Sequence, residues 1–187
     1  PTENFDEIDD EESSVFVLNE AEQTLPLFIE DLKRGQVKRV YARPSTKPQL
    51  DDLIMRFGDA ADTDIKLEKQ KPDLTSTPAA RYDLVDIDRY QSMAVQFSRG
   101  CGMGCTYCGV NKLNGPFTRY LPTDTIIENL DRIYATGFRG SVFVADDNTI
   151  GRPMMARDIF DAIADWQDKH DYPFTFGTEI SVNFADN

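Results

Sequence analysis

Three cysteines, all that the sequence contains, lie within one short stretch of the chain. They are Cys101, Cys105 and Cys108. Thiolates separated by three and then two residues on one loop can converge on a single soft metal centre. Three glycines loosen the backbone around the sulfurs, and these are Gly100, Gly102 and Gly104. Since three thiols cannot all pair with one another, the spacing favours metal ligation over a disulfide framework.

The number of cysteines narrows the choice of metal. A four-iron cluster held by three thiolates keeps one iron open to a small molecule, whereas a fourth cysteine would close it. Structural zinc requires four ligands, and the only histidine, His170, lies far along the sequence on a polar helix end. We interpret the loop as an iron–sulfur site, with structural zinc and three buried free thiols as the alternatives.

The segments around the cysteines alternate between strand and helix patterns. The apolar pattern predicts three strands, at residues 93–97, 141–145 and 174–182. The first of them leads directly into the cysteine loop. Apolar stripes at 126–134 and 155–166 predict two helices, the first opened by a capping box of Thr125 and Glu128. This α/β order predicts a parallel sheet that begins a (β/α) TIM-like barrel and is incomplete at three strands.

The chain before the cysteines predicts a different unit. Residues 15–18 and 39–42 predict strands, and a helical pattern between them ends at Gly35, as in the tail of an α/β domain. From 44 onward prolines and polar residues are frequent, with one helix near 50–57. The predicted organisation is therefore a domain tail at 1–43, a linker at 44–88 and the partial barrel at 89–187.

The acidic composition of the chain restricts the kinds of molecule that it can bind tightly. The formal net charge of −13 and the pI of about 4.4 work against tight, sequence-independent binding of nucleic acid or anionic membranes. An acidic run at 3–12 predicts a solvated loop. No apolar run approaches the roughly 18 to 20 residues of a membrane span, so we expect a cytoplasmic protein without a transmembrane segment. The chain starts at Pro1 and stops soon after a strand, which suggests a fragment cut at both ends.

The cysteine loop resembles that of radical S-adenosylmethionine (radical SAM) enzymes. Its C-x3-C-x2-C spacing follows a first strand, and an aromatic residue, Tyr107, precedes the third cysteine. Further stretches are similar to motifs of the cobalamin (B12)-binding subgroup, which includes hopanoid C-2 methylases; they are residues 94–101, 138–140, 144–148 and 178–183. Residues 13–43 resemble the last part of the Rossmann-like cobalamin-binding domain that precedes the barrel in this subgroup.

The resemblance implies a set of cofactors and a reaction. The open iron of a [4Fe–4S] cluster binds S-adenosylmethionine, and one electron cleaves a carbon–sulfur bond to give methionine and a 5′-deoxyadenosyl radical. The radical takes hydrogen from an unactivated carbon, to which methylcobalamin delivers a methyl group in the cobalamin subgroup. A methyltransferase of this kind acts on a small-molecule or lipid-like substrate and takes electrons from a donor such as flavodoxin or ferredoxin.

The resemblance also assigns roles by position. The three cysteines ligate the cluster, and Tyr107 packs near the adenine. The residues that stand where the family contacts the methionine amino group are Asp146, Asp147 and Asn148. Further candidates for contact with cofactor or substrate are Glu179, Ser181 and Asn183. Asp and Asn also serve in turns and caps, and a strand-end residue such as Glu179 also faces solvent in many proteins, so structural roles stay open for these positions.

Three positions depart from the subgroup pattern. Gly102 stands where a proline usually follows the first cysteine, and Gly109 where an acidic residue follows the third. Pro116 replaces the first of two basic residues expected after the loop, whereas Arg119 remains. We expect the cofactor loop to form despite these departures, and the substrate stays unassigned.

Two other functions stay open. Methylthiolation of tRNA uses the same cysteine spacing, but that class resembles chains with a further cysteine trio upstream and basic RNA-binding modules, whereas this chain is acidic. A non-catalytic module that binds zinc or an iron–sulfur cluster is the other alternative. Metal analysis separates zinc from iron.

Overall fold

The computed structural model of the chain describes residues 14–59 and 61–181. The chain divides into two compact units, Pro1–Pro72 and Asp73–Asn187. The acidic run at 3–12 and the candidate residue Asn183 lie outside the described residues. No helix within the described ranges is both long and apolar enough to cross a membrane.

The first unit is a parallel sheet with two helices. Its elements in chain order are β1 (Phe16–Leu18), α1 (Ala21–Arg34), β2 (Val40–Ala42), α2 (Lys47–Phe57) and β3 (Thr63–Ile65). The strands pair in parallel in the order β1-β2-β3. Gly35 ends α1 in the left-handed region, with φ of 68°, and its N–H donates to the carbonyl of Leu32. The predicted strand, helix and strand of an α/β domain are confirmed here.

The stretch from 44 to 88 is more ordered than the linker predicted for it. Both α2 and β3 fall inside it, and β3 belongs to the first unit because it pairs with β2. The first unit continues to residue 72. Single turns of 3-10 helix follow at Leu74–Ser76, Tyr82–Leu84 and Ile87–Arg89. The sequence does not reveal β3, since its middle residue is Asp64, which is buried in an ion pair with Arg43 at 3.0 Å.

The second unit carries the cysteines. Its elements in chain order are β4 (Ser92–Val95), β5 (Ser98–Arg99), α3 (Val110–Leu113), β6 (Arg119–Tyr120), α4 (Thr123–Ala135), β7 (Gly140–Val144), α5 (Pro153–Lys169) and β8 (Phe174–Thr178). Strands β4, β7 and β8 pair in parallel in that order, and β5 with β6 forms a separate antiparallel pair. The predicted parallel α/β sheet is confirmed, and its closure into a barrel stays a prediction.

The core of the second unit lies between this sheet and its two long helices. The buried strand residues include Met93, Val95, Val142, Val144 and Phe174. The helices bury Ile126, Leu130 and Ile133 of α4, and Ala156, Ile159, Ile163 and Trp166 of α5. Their spacing of three and four residues is that of one helix face. The predicted stripe of α4 packs on the sheet as expected, and so does that of α5 from Ile159 onward. Its first predicted member, Met155, is exposed, and Ala156 is buried instead.

Two details of the helices differ from the sequence prediction. Because α4 begins at Thr123, Thr125 lies inside the helix, and the predicted capping box is wrong. His170 is half-buried, although the polar helix end on which it lies is typical of an exposed residue. Its ring stacks on that of Trp166, with centroids 4.1 Å apart, and its Nδ1 lies 2.8 Å from the Trp166 carbonyl oxygen. This aromatic packing gives the only histidine a structural place.

Two side chains of α4 bind the backbone of residues 79 and 80. The Asn129 Oδ1 accepts from the Ala80 amide at 2.9 Å, while its Nδ2 donates to the Thr125 carbonyl at 2.9 Å. Arg132 Nη1 donates to the Ala79 carbonyl at 2.8 Å. The buried amide of Asn129 therefore satisfies backbone groups on both sides.

We expect Asn129→Ala to lower the free energy of unfolding by about 1–3 kcal/mol, because it leaves the Ala80 amide without its acceptor. The matched control is Glu128→Ala on the same helix, which removes an exposed ion pair to Arg132 and should cost at most about 0.5 kcal/mol. Urea denaturation of both variants measures the difference. Equal losses would contradict the role given to Asn129.

Candidate metal and cofactor site

The cysteine loop begins after β5 and ends before β6, the two strands of the antiparallel pair. Cys101 is half-buried, while Cys105 and Cys108 are exposed, and all three thiols are free. The Cys108 amide donates to the Cys105 carbonyl at 3.2 Å, so these two cysteines lie on one turn. The left-handed backbone of Gly104, with φ of 64°, precedes that turn.

The two ends of the loop are joined by backbone contacts. Strands β5 and β6 pair Ser98 with Tyr120 and Arg99 with Arg119. Beyond this pair, the Cys101 amide donates to the Gly115 carbonyl at 3.3 Å, and the Thr118 hydroxyl donates to the Gly100 carbonyl at 3.1 Å. The sequence gives no sign of β5 or β6, because a two-residue strand carries no periodic pattern.

Gly100 is required at the base of the loop. Its φ of 93° is one that side-chain-bearing residues rarely adopt, and a Cβ there would lie 2.3 Å from the Phe117 carbonyl oxygen. Gly151, in the segment after β7, approaches the far end of the loop just as closely, since a Cβ on it would lie 2.0 Å from Thr118 Oγ1. These two glycines allow the loop ends and the segment after β7 to come into contact.

Asp146, two residues after β7, fixes the segment of chain that leads to the first cysteine. Its side chain is only 6% exposed. Oδ1 accepts from the amides of Phe97 and Ser98 at 2.8 and 3.0 Å, and Oδ2 accepts from the Ser98 hydroxyl at 2.7 Å. Burial raises the pKa of Asp146, although these hydrogen bonds act in the opposite direction. These bonds hold Phe97 and the first residue of β5 against the segment that follows β7.

Asp147 contacts the loop itself. Its Oδ2 accepts from the Gly100 amide at 2.7 Å and from the Asn114 Nδ2 at 2.8 Å. Gly100 precedes the first cysteine, and Asn114 follows the third. Neither partner could be identified from the sequence, since the contact joins residues far apart in the chain and Asn114 stands in no recognisable motif.

Asn148 differs from its two neighbours. It is 7% exposed, and its Oδ1 has no hydrogen-bond partner within the part of the chain that the structure describes. A buried amide oxygen without a donor is costly, and a ligand that brings an N–H group would remove the cost. The Oδ1 of Asn111, inside the cysteine loop, is a second buried acceptor of this kind among the described residues.

The remaining candidates lie nearer to solvent. Tyr107 is 91% exposed, and its neighbour Cys105 raises the pKa of its phenol. Glu179 is exposed and Ser181 half-buried, both just after β8. The structure joins this segment to the end of β7 by a backbone hydrogen bond from the Thr149 amide to the Glu179 carbonyl at 3.4 Å. Arg119, whose Nη2 donates to the Asn114 carbonyl at 2.9 Å, belongs to the base of the loop.

The donor set suits an iron–sulfur cluster. Three free thiols on one exposed loop are the soft ligands that such a cluster takes. Within residues 14–59 and 61–181, no three Cys, His, Asp or Glu side chains are gathered closely enough to hold a metal ion. Ligation therefore requires the loop between its fixed ends to draw the three sulfurs together.

No protein-family model matches the chain. The chain is 36% identical to a Synechocystis protein named as an uncharacterized methyltransferase, over 182 residues that make up 97% of this chain. It is 30% identical to a hopanoid C-2 methylase of Rhodopseudomonas palustris over 162 residues, 78% of this chain. The chain resembles two proteins named for methylation. It spans 29% of the length of the first and 31% of the length of the second.

Substitution at Gly100 tests the geometry of the loop base. We expect Gly100→Ala to lower the free energy of unfolding by about 1–3 kcal/mol, because its backbone is strained there and the new Cβ would meet the Phe117 carbonyl oxygen. Gly109→Ala is the control in the same loop, since Gly109 has φ of −80° and open space around it. That variant should be neutral or more stable by about 0.4–1 kcal/mol. Thermal unfolding of both reports the contrast, and similar midpoints would argue against the close approach.

Proposed function

We propose that this chain is the cofactor-binding part of a radical SAM methyltransferase. The observation that carries the proposal is the free cysteine trio on a loop whose two ends are tied to the carboxyl end of β7. The similarity to a methyltransferase and to a hopanoid C-2 methylase supports methylation as the reaction. The substrate proposed is a small molecule or a lipid-like molecule, with an unactivated carbon as the methyl acceptor.

Cys101, Cys105 and Cys108 would hold a [4Fe–4S] cluster and leave one iron open. When bound there, the cluster supplies the electron that cleaves S-adenosylmethionine to methionine and the 5′-deoxyadenosyl radical. The chain's own part is to fix the loop and to orient the ligand beside it. A protein electron donor such as flavodoxin or ferredoxin would provide the electron.

Asn148 is the residue that best fits contact with S-adenosylmethionine. Its Oδ1 is buried beside Asp147, the residue that binds the loop, and it can accept from the methionine amino group. Asp146 and Asp147 stand next to it, but their hydrogen bonds go to the loop and to the segment before it. We therefore assign ligand contact to Asn148 and positioning of the cysteines to the two aspartates.

Cobalamin is the proposed carrier of the methyl group. The proposal rests on the resemblance of residues 13–43 to the end of a cobalamin-binding domain, and the parallel α/β sheet of the first unit agrees with such a domain. Glu179 and Ser181, after β8, are proposed to line the same edge of the sheet as Asn148. Tyr107, exposed on the loop, is proposed to cover the adenine once the ligand is in place.

Anaerobic reconstitution with iron and sulfide tests the cluster. We expect the full-length protein to take up about four irons and to release 5′-deoxyadenosine from S-adenosylmethionine on reduction. Each single change, Cys101→Ala, Cys105→Ala or Cys108→Ala, should abolish product formation and reduce bound iron. Iron analysis, the absorption spectrum and chromatography of the nucleoside products are the measurements.

The control is Met103→Ala, an exposed and uncharged position of the same loop, which should keep iron and cleavage activity. One zinc per chain with no iron would favour the non-catalytic module. Iron uptake without 5′-deoxyadenosine would contradict the radical function while leaving the cluster intact.

Replacement of Asn148 tests the proposed ligand contact. We expect Asn148→Ala to weaken S-adenosylmethionine binding to the reconstituted protein by roughly tenfold, because the amino group loses a buried acceptor, with iron content unchanged. Asn148→Asp keeps an acceptor oxygen and should bind more tightly than the alanine variant. Equilibrium dialysis measures both affinities. Unchanged affinity in Asn148→Ala would remove this residue from the ligand site.

A further inference from the structure

We propose that Asp147 is a positioning residue that closes the cysteine loop, an inference that rests on the function proposed above. A single carboxylate oxygen, Oδ2, accepts from the amide of Gly100 and from the side-chain amide of Asn114. These two donors lie on either side of the three cysteines in the sequence. One atom at the end of β7 thus binds both ends of the segment that carries the thiols.

The two hydrogen bonds are short and involve a charged acceptor. The distances of 2.7 and 2.8 Å are those of charge-assisted hydrogen bonds, which are stronger than neutral ones. A further side-chain contact between the loop ends, from the Thr118 hydroxyl to the Gly100 carbonyl, is neutral and longer at 3.1 Å. Asp147 therefore makes a stronger contact between the loop ends than Thr118 does.

The support of Asp147 is rigid. It follows β7, the central strand of the sheet, and its neighbour Asp146 is buried and hydrogen-bonded to Phe97 and Ser98. Because Asp146 is fixed in this way, the adjacent Asp147 can restrain a loop, whereas a contact between two mobile segments would move with them. Closing the ends of a flexible segment reduces the number of conformations that the segment between them can adopt.

This closure bears on metal binding because the sulfurs are not gathered closely enough to hold a metal ion in the described structure. Drawing three thiols onto one cluster costs conformational entropy, and the cost falls when the loop ends are already held. Asp147 would act on the cysteines through the loop backbone, without touching the metal. Its contribution should therefore be present in the metal-free protein.

Asparagine and alanine at position 147 separate this role from one that requires negative charge. Asn keeps a side-chain oxygen that can accept from both Gly100 and Asn114, whereas Ala keeps none. A residue that bound the ligand amino group through its charge would be impaired by either change. A residue that closes the loop is impaired by Asp147→Ala and preserved by Asp147→Asn.

The test is hydrogen exchange of the metal-free, full-length protein, followed by mass spectrometry of peptides that cover residues 100–115. We expect Asp147→Ala to speed exchange there by roughly tenfold, with peptides from α4 and α5 unchanged. Asp147→Asn should stay within about threefold of the unchanged protein. The control Asp158→Ala removes an exposed carboxylate on α5 and should leave the loop unaffected.

A second variant keeps the test decisive if Asp147→Ala fails to fold. Asn114→Ala removes one of the two donors and should give a smaller acceleration confined to the loop. Combined with Asp147→Ala, where that folds, it should add less than the sum of the separate effects, since both changes break one contact. Exchange in the loop that is unchanged in both single variants, or equally fast in Asp147→Asn and Asp147→Ala, would overturn the proposal.

Iron uptake links the closure to the proposed cluster. After anaerobic reconstitution, Asp147→Ala should retain less than about half of the iron bound by the unchanged protein, and Asp147→Asn should retain most of it. If the unchanged protein takes up no iron, the proposed function fails, while the exchange data still decide whether Asp147 closes the loop. Full iron content in Asp147→Ala would show that the closure does not assist the cysteines.

Discussion

The buried carboxylate of Asp146 is the contact on which the rest of the site depends. Burying a carboxylate is costly, as its raised pKa reflects, and three hydrogen bonds from Phe97 and Ser98 offset that cost. Removing the acceptor would leave two buried backbone amides unpaired. Because those amides lie just before Gly100 and Cys101, the start of the cysteine loop is fixed to the end of β7.

The order of the strands explains why these groups meet. Neighbouring parallel strands end at the same edge of a sheet, and β4 and β7 are neighbours although α4 and the whole cysteine loop separate them in sequence. The residues that follow β4 therefore face the residues that follow β7. The antiparallel pair of β5 and β6 then brings the far end of the loop back to the same edge.

Local patterns in the sequence predicted the parts of the fold that depend on periodicity. The structure confirms the helix that ends at Gly35, the apolar stripes of α4 and α5 except for Met155, and the three parallel strands of the second unit. The elements that escaped prediction are two to four residues long, and β3 even carries a buried charge, Asp64. The cysteine spacing could suggest a metal site, but the contacts of Gly100 and Asn114 with Asp147 depend on the folded topology and leave no local pattern.

The three polar residues that follow β7 are consecutive in the sequence but lie in different environments in the structure. They are Asp146, Asp147 and Asn148. Successive residues at a strand end face different directions, so one carboxylate is buried beneath the segment before the loop and the next binds the loop ends. Asn148 is the one of the three with a buried acceptor that lacks a partner in the described ranges. A ligand that reached it would not have to displace a hydrogen bond that holds the cysteines. In the proposed enzyme, this separation would let S-adenosylmethionine bind and leave while the cluster loop kept its shape.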